Sequence, residues 1–270
     1  MRNPLRFLRQ RDRVTVLRLE GVIGMVGRLG GPSLTDAGLA PLVEAAFRRG
    51  KPKAVALAIN SPGGSAAQSS LIAARIRRLA DEKQVPVHAF VEDVAASGGY
   101  WLATAADRIH LDPNSIVGSI GVISASFGFP KFLARHGIER RVHTAGDDKS
   151  MLDPFRPERP EDVERLMGLQ AQIHGNFIAQ VKARRGDRLA GDDLFTGEIW
   201  VGEAGVAVGL ADGIGHLVPT MRGLYGDKVA FEVIAPRRSL FRRLGLPGVG
   251  EALDAVETRA LWTRYGLPAQ

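Results

Sequence analysis

Two periods of apolar residues alternate along the middle of this chain. The run Val14–Leu19 interleaves Val and Leu with Thr and Arg and predicts an early strand. Leu39, Leu42, Val43, Ala46 and Phe47 recur at the spacing of one helical face, and Gly50 can end that helix. Ala54–Ile59 is continuously apolar, as expected of a strand covered on both faces. A turn at Asn60–Gly64 and a helical stretch to about Leu79 follow, then a strand at Val85–Val91. The small residues Ala95–Gly99 predict a turn, and Tyr100–Ala106 a helix. Short strands are expected at Arg108–Leu111, Ile120–Ser124 and Glu139–Thr144. Val163, Leu166, Met167, Ile173, Phe177, Ile178 and Val181 stripe a long helix over roughly Glu161–Arg184. Residues 186–218 read as Gly-rich turns, before a last strand near Val229–Ile234. Strand and helix signals in alternation predict an α/β fold with parallel pairing.

Composition changes this picture little. The 270 residues are 45% hydrophobic and 24% charged, enough for one large domain or two small ones. The absence of cysteine excludes a disulfide framework and any cysteine-ligated metal centre. Charge is more informative, because the net +7 is unevenly placed. Residues 1–13 hold five Arg and one Asp, and residues 228–270 hold seven basic and four acidic side chains. The stretch between carries 24 charges of each sign, so it offers no basic excess for a nucleic-acid groove. Nucleic acid is therefore not an expected partner.

Three segments are expected: a basic N-terminal piece (1–13), a folded body (14–235) and a basic tail (236–270) with loosely attached helix. No apolar run approaches the ~20 residues of a membrane span, and none has the form of a signal-peptide core. The expectation is a soluble cytoplasmic chain. Its basic ends leave two readings open, weak peripheral contact with an anionic inner membrane face or simple solubilising tails.

Several chemistries are missing. No GxGxxG follows a strand, and Gly146–Ser150 lacks the glycines of a phosphate-binding loop. The six histidines show no metal-binding spacing, and no cofactor or metal is expected. Two Gly-rich turns do stand out, each after an apolar strand. In Asn60-Ser61-Pro62-Gly63-Gly64 the paired glycines permit a sharp turn with free amides. In Ala95-Ala96-Ser97-Gly98-Gly99-Tyr100 a serine meets the free N–H groups of a helix start, where capping would account for it equally well. This is not the GxSxG elbow, because position 95 is Ala. Adjacent parallel strands would bring both turns to one sheet edge. Ser97 could then act as nucleophile, with the Gly64 and Gly98 amides stabilising an oxyanion.

A serine nucleophile needs a base. No His–Asp pairing can be assigned, which leaves the lysines of the body: Lys51, Lys53, Lys83, Lys131, Lys149 and Lys182. Lys149 sits in a small polar loop before Pro154, where a solvated charge is the plain alternative. Any lysine acting as base near pH 7 must be neutral, which costs about 4 kcal/mol of desolvation or like-charge repulsion.

Taken together, Asn60–Gly64, Ala96–Tyr100, Gly118-Ser119-Ile120-Gly121-Val122, Gly146–Lys149, Thr196-Gly197-Glu198-Ile199-Trp200 and Gly209-Leu210-Ala211-Asp212 resemble the signal peptide peptidase A family. The likeness runs in order from about Val14 to Ile234. It implies an α/β chain with the repeated β-β-α superhelix of the ClpP/crotonase fold and a single catalytic domain. It also implies a serine endopeptidase with Ser97 as nucleophile, Lys149 as general base and Ser119 orienting the lysine. Gly64 and Gly98 match the oxyanion hole, and Gly63 and Gly99 beside them are expected to contact substrate. A ClpP-type triad is disfavoured, since Ile116–Ser124 contains no His. Many members are anchored by an N-terminal span, which is not expected here, and long members carry two copies of the fold where one is expected here. The resemblance further implies extended, small or apolar peptide substrates. It also implies a homo-oligomeric ring in which Ser and Lys come from adjacent subunits. The competing readings are a non-proteolytic peptide-binding scaffold, acyl-CoA chemistry of the crotonase type, and a phage-type capsid maturation protease.

Overall fold

A computed structural model describes residues 12–24, 34–146, 149–234, 259 and 262–267. Most of the basic N-terminal piece and most of the basic tail lie outside the described residues. The chain divides into two compact units, Met1–Ile120 with Ile178–Gln270, and Gly121–Phe177.

The first unit is built on a parallel-rich sheet. Its strands are β1 (Arg13–Glu20), β2 (Ala54–Ser61), β3 (Val87–Ala96), β4 (Arg108–Leu111), β5 (Ile116–Gly118), β6 (Ile199–Val201), β7 (Gly213–Ile214) and β8 (Ala230–Ile234). The order is β6-β5-β3-β2-β1-β8, with β4 pairing both β3 and β7. The β5–β6 pair is antiparallel; the others are parallel. Helices α1 (Asp36–Arg48), α2 (Ala66–Lys83) and α3 (Gly98–Ala103) follow the early strands.

β2 is buried along its whole length, and its side chains alternate small and large. Ala54, Ala56 and Ala58 form one core with Val14, Val16, Phe90, Met221 and Val229. The period of two sends the buried Val55, Leu57 and Ile59 to the opposite face. α1 and α2 pack against each other and bury Leu39, Val43 and Phe47 from one, Ile72, Ile76 and Leu79 from the other.

β3 extends five residues beyond the expected Val85–Val91, up to Ala96. The polar pair Glu92–Asp93 masks this continuation in the sequence. Both acids have partners across the sheet: Arg18 donates to Glu92 at 2.8 Å, and Asn60 to Asp93 at 2.6 Å. At that point β3 also changes neighbour, pairing β4 through His88–Val91 and β5 through Val94–Ala96. Ser97 follows directly, so the expected turn at Ala95–Gly99 is a strand end joined to a helix start.

Two other expectations are corrected. Ile120–Ser124 and Glu139–Thr144 form no strand; the β5 signal lies earlier, at Ile116–Gly118. Residues 123–127 and 137–141 are exposed and have no strand beside them, and alternation alone does not make a ladder. The stretch 186–218, read as turns, includes the two short strands β6 and β7. It also holds α6 (Glu203–Ala207) and the start of α7 (Leu217–Tyr225), elements too short to declare a period.

The second unit contains α4 (Pro130–Arg135) and most of α5 (Pro160–Arg185). Arg159 bonds both oxygens of Asp162, whose carboxylate also accepts from the Leu152 amide. The Arg140 guanidinium lies 5.3 Å from the Phe155 ring centre and pairs with Asp153. Ile123, Phe127, Phe129, Phe132 and Ile138 are exposed, Phe127 to 82%.

The end of α5 belongs to the first unit and carries its best-buried ion pair. Arg185 is 2% exposed, donates to Asp212 at 2.8 Å and also to the Gly209 carbonyl at 2.9 Å. Burial would raise the Asp212 carboxyl. The hydrogen bonds from Arg185, the Ile109 amide and Arg188 outweigh burial and hold it at about 2. Asp212→Asn leaves Arg185 buried without a counter-charge and is expected to cost about 3 kcal/mol at pH 7. A depressed carboxyl stabilises above its unfolded value of about 4 and loses that contribution as pH falls towards 2. The gap between wild type and variant in urea unfolding should therefore narrow across that window.

Candidate active site

The two Gly-rich turns meet. Ser97 joins β3 to α3 with φ 51° and ψ −122°, a conformation costing a non-glycine residue about 1–3 kcal/mol. Its amide donates to the Gly118 carbonyl at the end of β5, 2.8 Å away. A β-carbon added at Gly63 would stand 2.9 Å from the Ser97 Cβ and 3.0 Å from the Gly98 nitrogen. One added at Gly99 would stand 2.4 Å from the Ser61 carbonyl oxygen, and one at Gly98 3.4 Å from the Gly64 nitrogen. Gly63 and Gly99 are thus buried where the turns abut.

The Gly63–Gly64 turn is fixed from its other side. The Ile23 amide donates to the Gly63 carbonyl, and the Ser65 amide to the Ile23 carbonyl. The Ser61 hydroxyl donates to the Gly21 carbonyl and accepts from the Gly63 amide. Gly64, with φ 139°, is exposed; a β-carbon there would lie 2.1 Å from the Ile23 carbonyl oxygen. Among the described residues, the amides of Gly64 and Gly98 donate to no protein group, as an oxyanion hole requires. Ser97 is half-buried and makes no side-chain capping bond, so its hydroxyl is not used up as a helix cap.

Ser119 lies just beyond β5, 5% exposed and also at positive φ, 51°. Its amide donates to the Glu198 carbonyl at 2.6 Å. Trp200, in the antiparallel β6, covers Gly118, where an added β-carbon would touch the indole at 2.7 Å. The motifs around Gly118 and Trp200 therefore belong to one device that places Ser119. Likewise the buried Tyr100 hydroxyl donates to the Leu210 carbonyl at 2.8 Å, joining the serine turn to Gly209–Asp212.

Lys149 falls in the second unit, in a turn where its amide donates to the Gly146 carbonyl at 3.3 Å and its side chain is exposed. The fold therefore gathers Ser97, Ser119, Gly63, Gly64, Gly98 and Gly99 in one unit, and holds Lys149 in the other. Ile23 and Glu198 fix the turns through their backbones and Ser61 through its hydroxyl; none of the three is a site candidate in the sequence. No group of His, Asp or Glu suited to a metal ion occurs among the described residues.

The model of "Peptidase family S49" matches residues 80–224, more than half of the chain and including Ser97, Ser119 and Lys149. The chain belongs to peptidase family S49. It is similar to "Na(+)/H(+) antiporter NhaA" of Brucella melitensis, 48% identical over 98% of this chain and 38% of that protein. It is also similar to "Serine protease SPPA, chloroplastic" of Arabidopsis thaliana, 32% identical over 77% of this chain and 31% of that one. The chain thus spans less than two fifths of either relative. Among solved structures it resembles a mutant of the 1510-N membrane-bound stomatin-specific protease in complex with a substrate peptide. That match has a TM-score of 0.52 and 15% identity, and covers 92% of this chain and 98% of that one. The S49 chain has a mixed α/β, ClpP/crotonase-like fold.

The contact between the turns is testable by adding single methyl groups. Gly99→Ala drives a β-carbon into the Ser61 carbonyl and is expected to cost about 2 kcal/mol and to abolish fluorophosphonate labelling at Ser97. Gly168→Ala, in α5 with nothing within 4 Å of the new carbon, should stabilise by up to about 1 kcal/mol and leave labelling intact. Thermal unfolding and labelling by mass spectrometry read both.

Proposed function

We propose that this S49 chain is an endopeptidase that cleaves extended peptides with small or apolar side chains, using Ser97 as nucleophile and Lys149 as general base. The observation that carries the reading is Ser97 held in an upright strand-to-helix turn beside two unused amides, Gly64 and Gly98. Ser97 Oγ attacks the scissile carbonyl carbon while the Lys149 amine takes its proton. The oxyanion accepts from the two amides, each donor being worth about 3–4 kcal/mol. The C–N bond then breaks, Lys149 returns the proton to the leaving amine, and the acyl group stays on Ser97. Water, deprotonated by Lys149, attacks the ester and frees the enzyme.

The base must be uncharged, and Lys149 in a single copy is exposed. A neighbouring copy in a ring, or bound substrate, would supply the desolvation. The exposed Ile123, Phe127, Phe129, Phe132 and Ile138 of the Lys149 unit support the ring, since such a patch is costly in water unless covered. Ser97 and Lys149 then come from adjacent subunits. No helix among the described residues is long and apolar enough to cross a membrane.

Ser97→Ala and Lys149→Ala should each lower hydrolysis of a fluorogenic peptide by about 10³-fold or more. Mixing the two inactive variants should restore part of the activity if the dyad forms between subunits. Full activity in either variant would overturn the assignment. Hydrolysis-negative protein that still fails to react with fluorophosphonate at Ser97 would favour a peptide-binding scaffold instead.

A further inference from the structure

The segment after β8 carries a contact that the proposed dyad does not use. Trp262 is 1% exposed and packs on Val94 and Ala96, the last inward residues of the strand that presents Ser97. Ile116, Tyr265 and Leu267 join the same cluster. Residues 262–267 close into a compact turn: the Tyr265 and Leu267 amides donate to the Trp262 carbonyl, and the Gly266 amide to that of Thr263. Gly266, at φ 70°, supplies the left-handed residue that ends it. The turn brings the Tyr265 hydroxyl to 3.4 Å from Ser119 Oγ, to which it donates.

Ser119 is buried, and its backbone is held by Glu198, so the hydroxyl rotor is its remaining freedom. A serine oxygen accepts two hydrogen bonds. With Tyr265 donating to one lone pair, the second lone pair can receive an N–H of the lysine. We infer that Tyr265 is a positioning residue of the peptidase, fixing Ser119 so that Ser119 can orient the dyad lysine, and that the buried Trp262 is its anchor. This rests on the Ser97–Lys149 reading with Ser119 as orienting group.

Tyr265→Phe keeps the ring and removes only the hydroxyl. With a fluorogenic peptide it should lower kcat about tenfold, leave KM unchanged and shift the acidic limb of the pH profile, with no change in melting temperature. In a Ser119→Ala background the same change should have no further effect, because its route to the lysine is gone. Trp262→Phe, a milder disturbance of the anchor, should fall between wild type and Tyr265→Phe. Unchanged or raised kcat in Tyr265→Phe, or an equal loss in both backgrounds, overturns the inference. Ser97→Ala measured alongside separates the two levels. If it remains active the dyad reading fails, whereas an inactive Ser97→Ala with an additive cycle removes only the role of Tyr265.

Discussion

Backbone touching backbone is the constraint on which this site depends. Gly63 and Gly64 on one turn, Gly98 and Gly99 on the next, come so close that a methyl group at Gly63 would stand 3.0 Å from the Gly98 nitrogen and one at Gly99 2.4 Å from the Ser61 carbonyl oxygen. That proximity sets two amides beside Ser97 without any side chain to aim them. Amides held by the main chain cannot rotate away, so their dipoles are already oriented before charge develops. The cost is paid in conformational freedom at the glycines and in the positive φ of Ser97. It is offset by the sheet, because Ser97 is clamped to β5 and Gly63 to Ile23 through ordinary ladder-type bonds.

Much of this was legible because glycine and serine mark backbone geometry directly. A pair of glycines after an apolar strand, twice in succession, predicts two turns at one sheet edge before any coordinates exist. The exact ends of β3 were not legible. Glu92 and Asp93 read as the close of a strand, yet Arg18 and Asn60, from strands far away in sequence, compensate their charge and polarity. Conversely, the apolar run at Ile120–Ser124 promised a strand that no neighbour completes. A strand exists only as a pair, and a single sequence shows half of each pair.

The proposed base was the least legible member. Lys149 carries no local signature, since a loop lysine before a proline is ordinary, and only its resemblance to family members singled it out. The structure shows why composition could not do better. Lys149 belongs to a unit with no strand among its described residues, and its side chain is exposed. The C-terminal turn was hidden for a related reason. Trp262 and Tyr265 stand in an Arg- and Leu-rich tail that looks like a loosely held appendage. Their partners Val94, Ala96 and Ser119 lie over 140 residues earlier.

β5 ties these observations together, because it grips two turns of nearly the same shape. At one end its Gly118 carbonyl accepts from Ser97, with φ 51° and ψ −122°; at the other, the carbonyl of Ser115, the residue just before it, accepts from Gly202, with φ 47° and ψ −117°. Each turn leads from a strand paired with β5 into a short helix. They differ in the room available for a side chain. A β-carbon at Gly202 would lie 2.0 Å from the Pro113 carbonyl oxygen, so that turn admits glycine and carries no chemistry. Ser97 stands half-exposed beside the second glycine turn, where a hydroxyl has space and two amides to work with. One backbone device thus serves twice, once at a glycine and once to present the hydroxyl of the proposed nucleophile. What separates the two uses is the carbonyl that blocks one position and the glycines that clear the other.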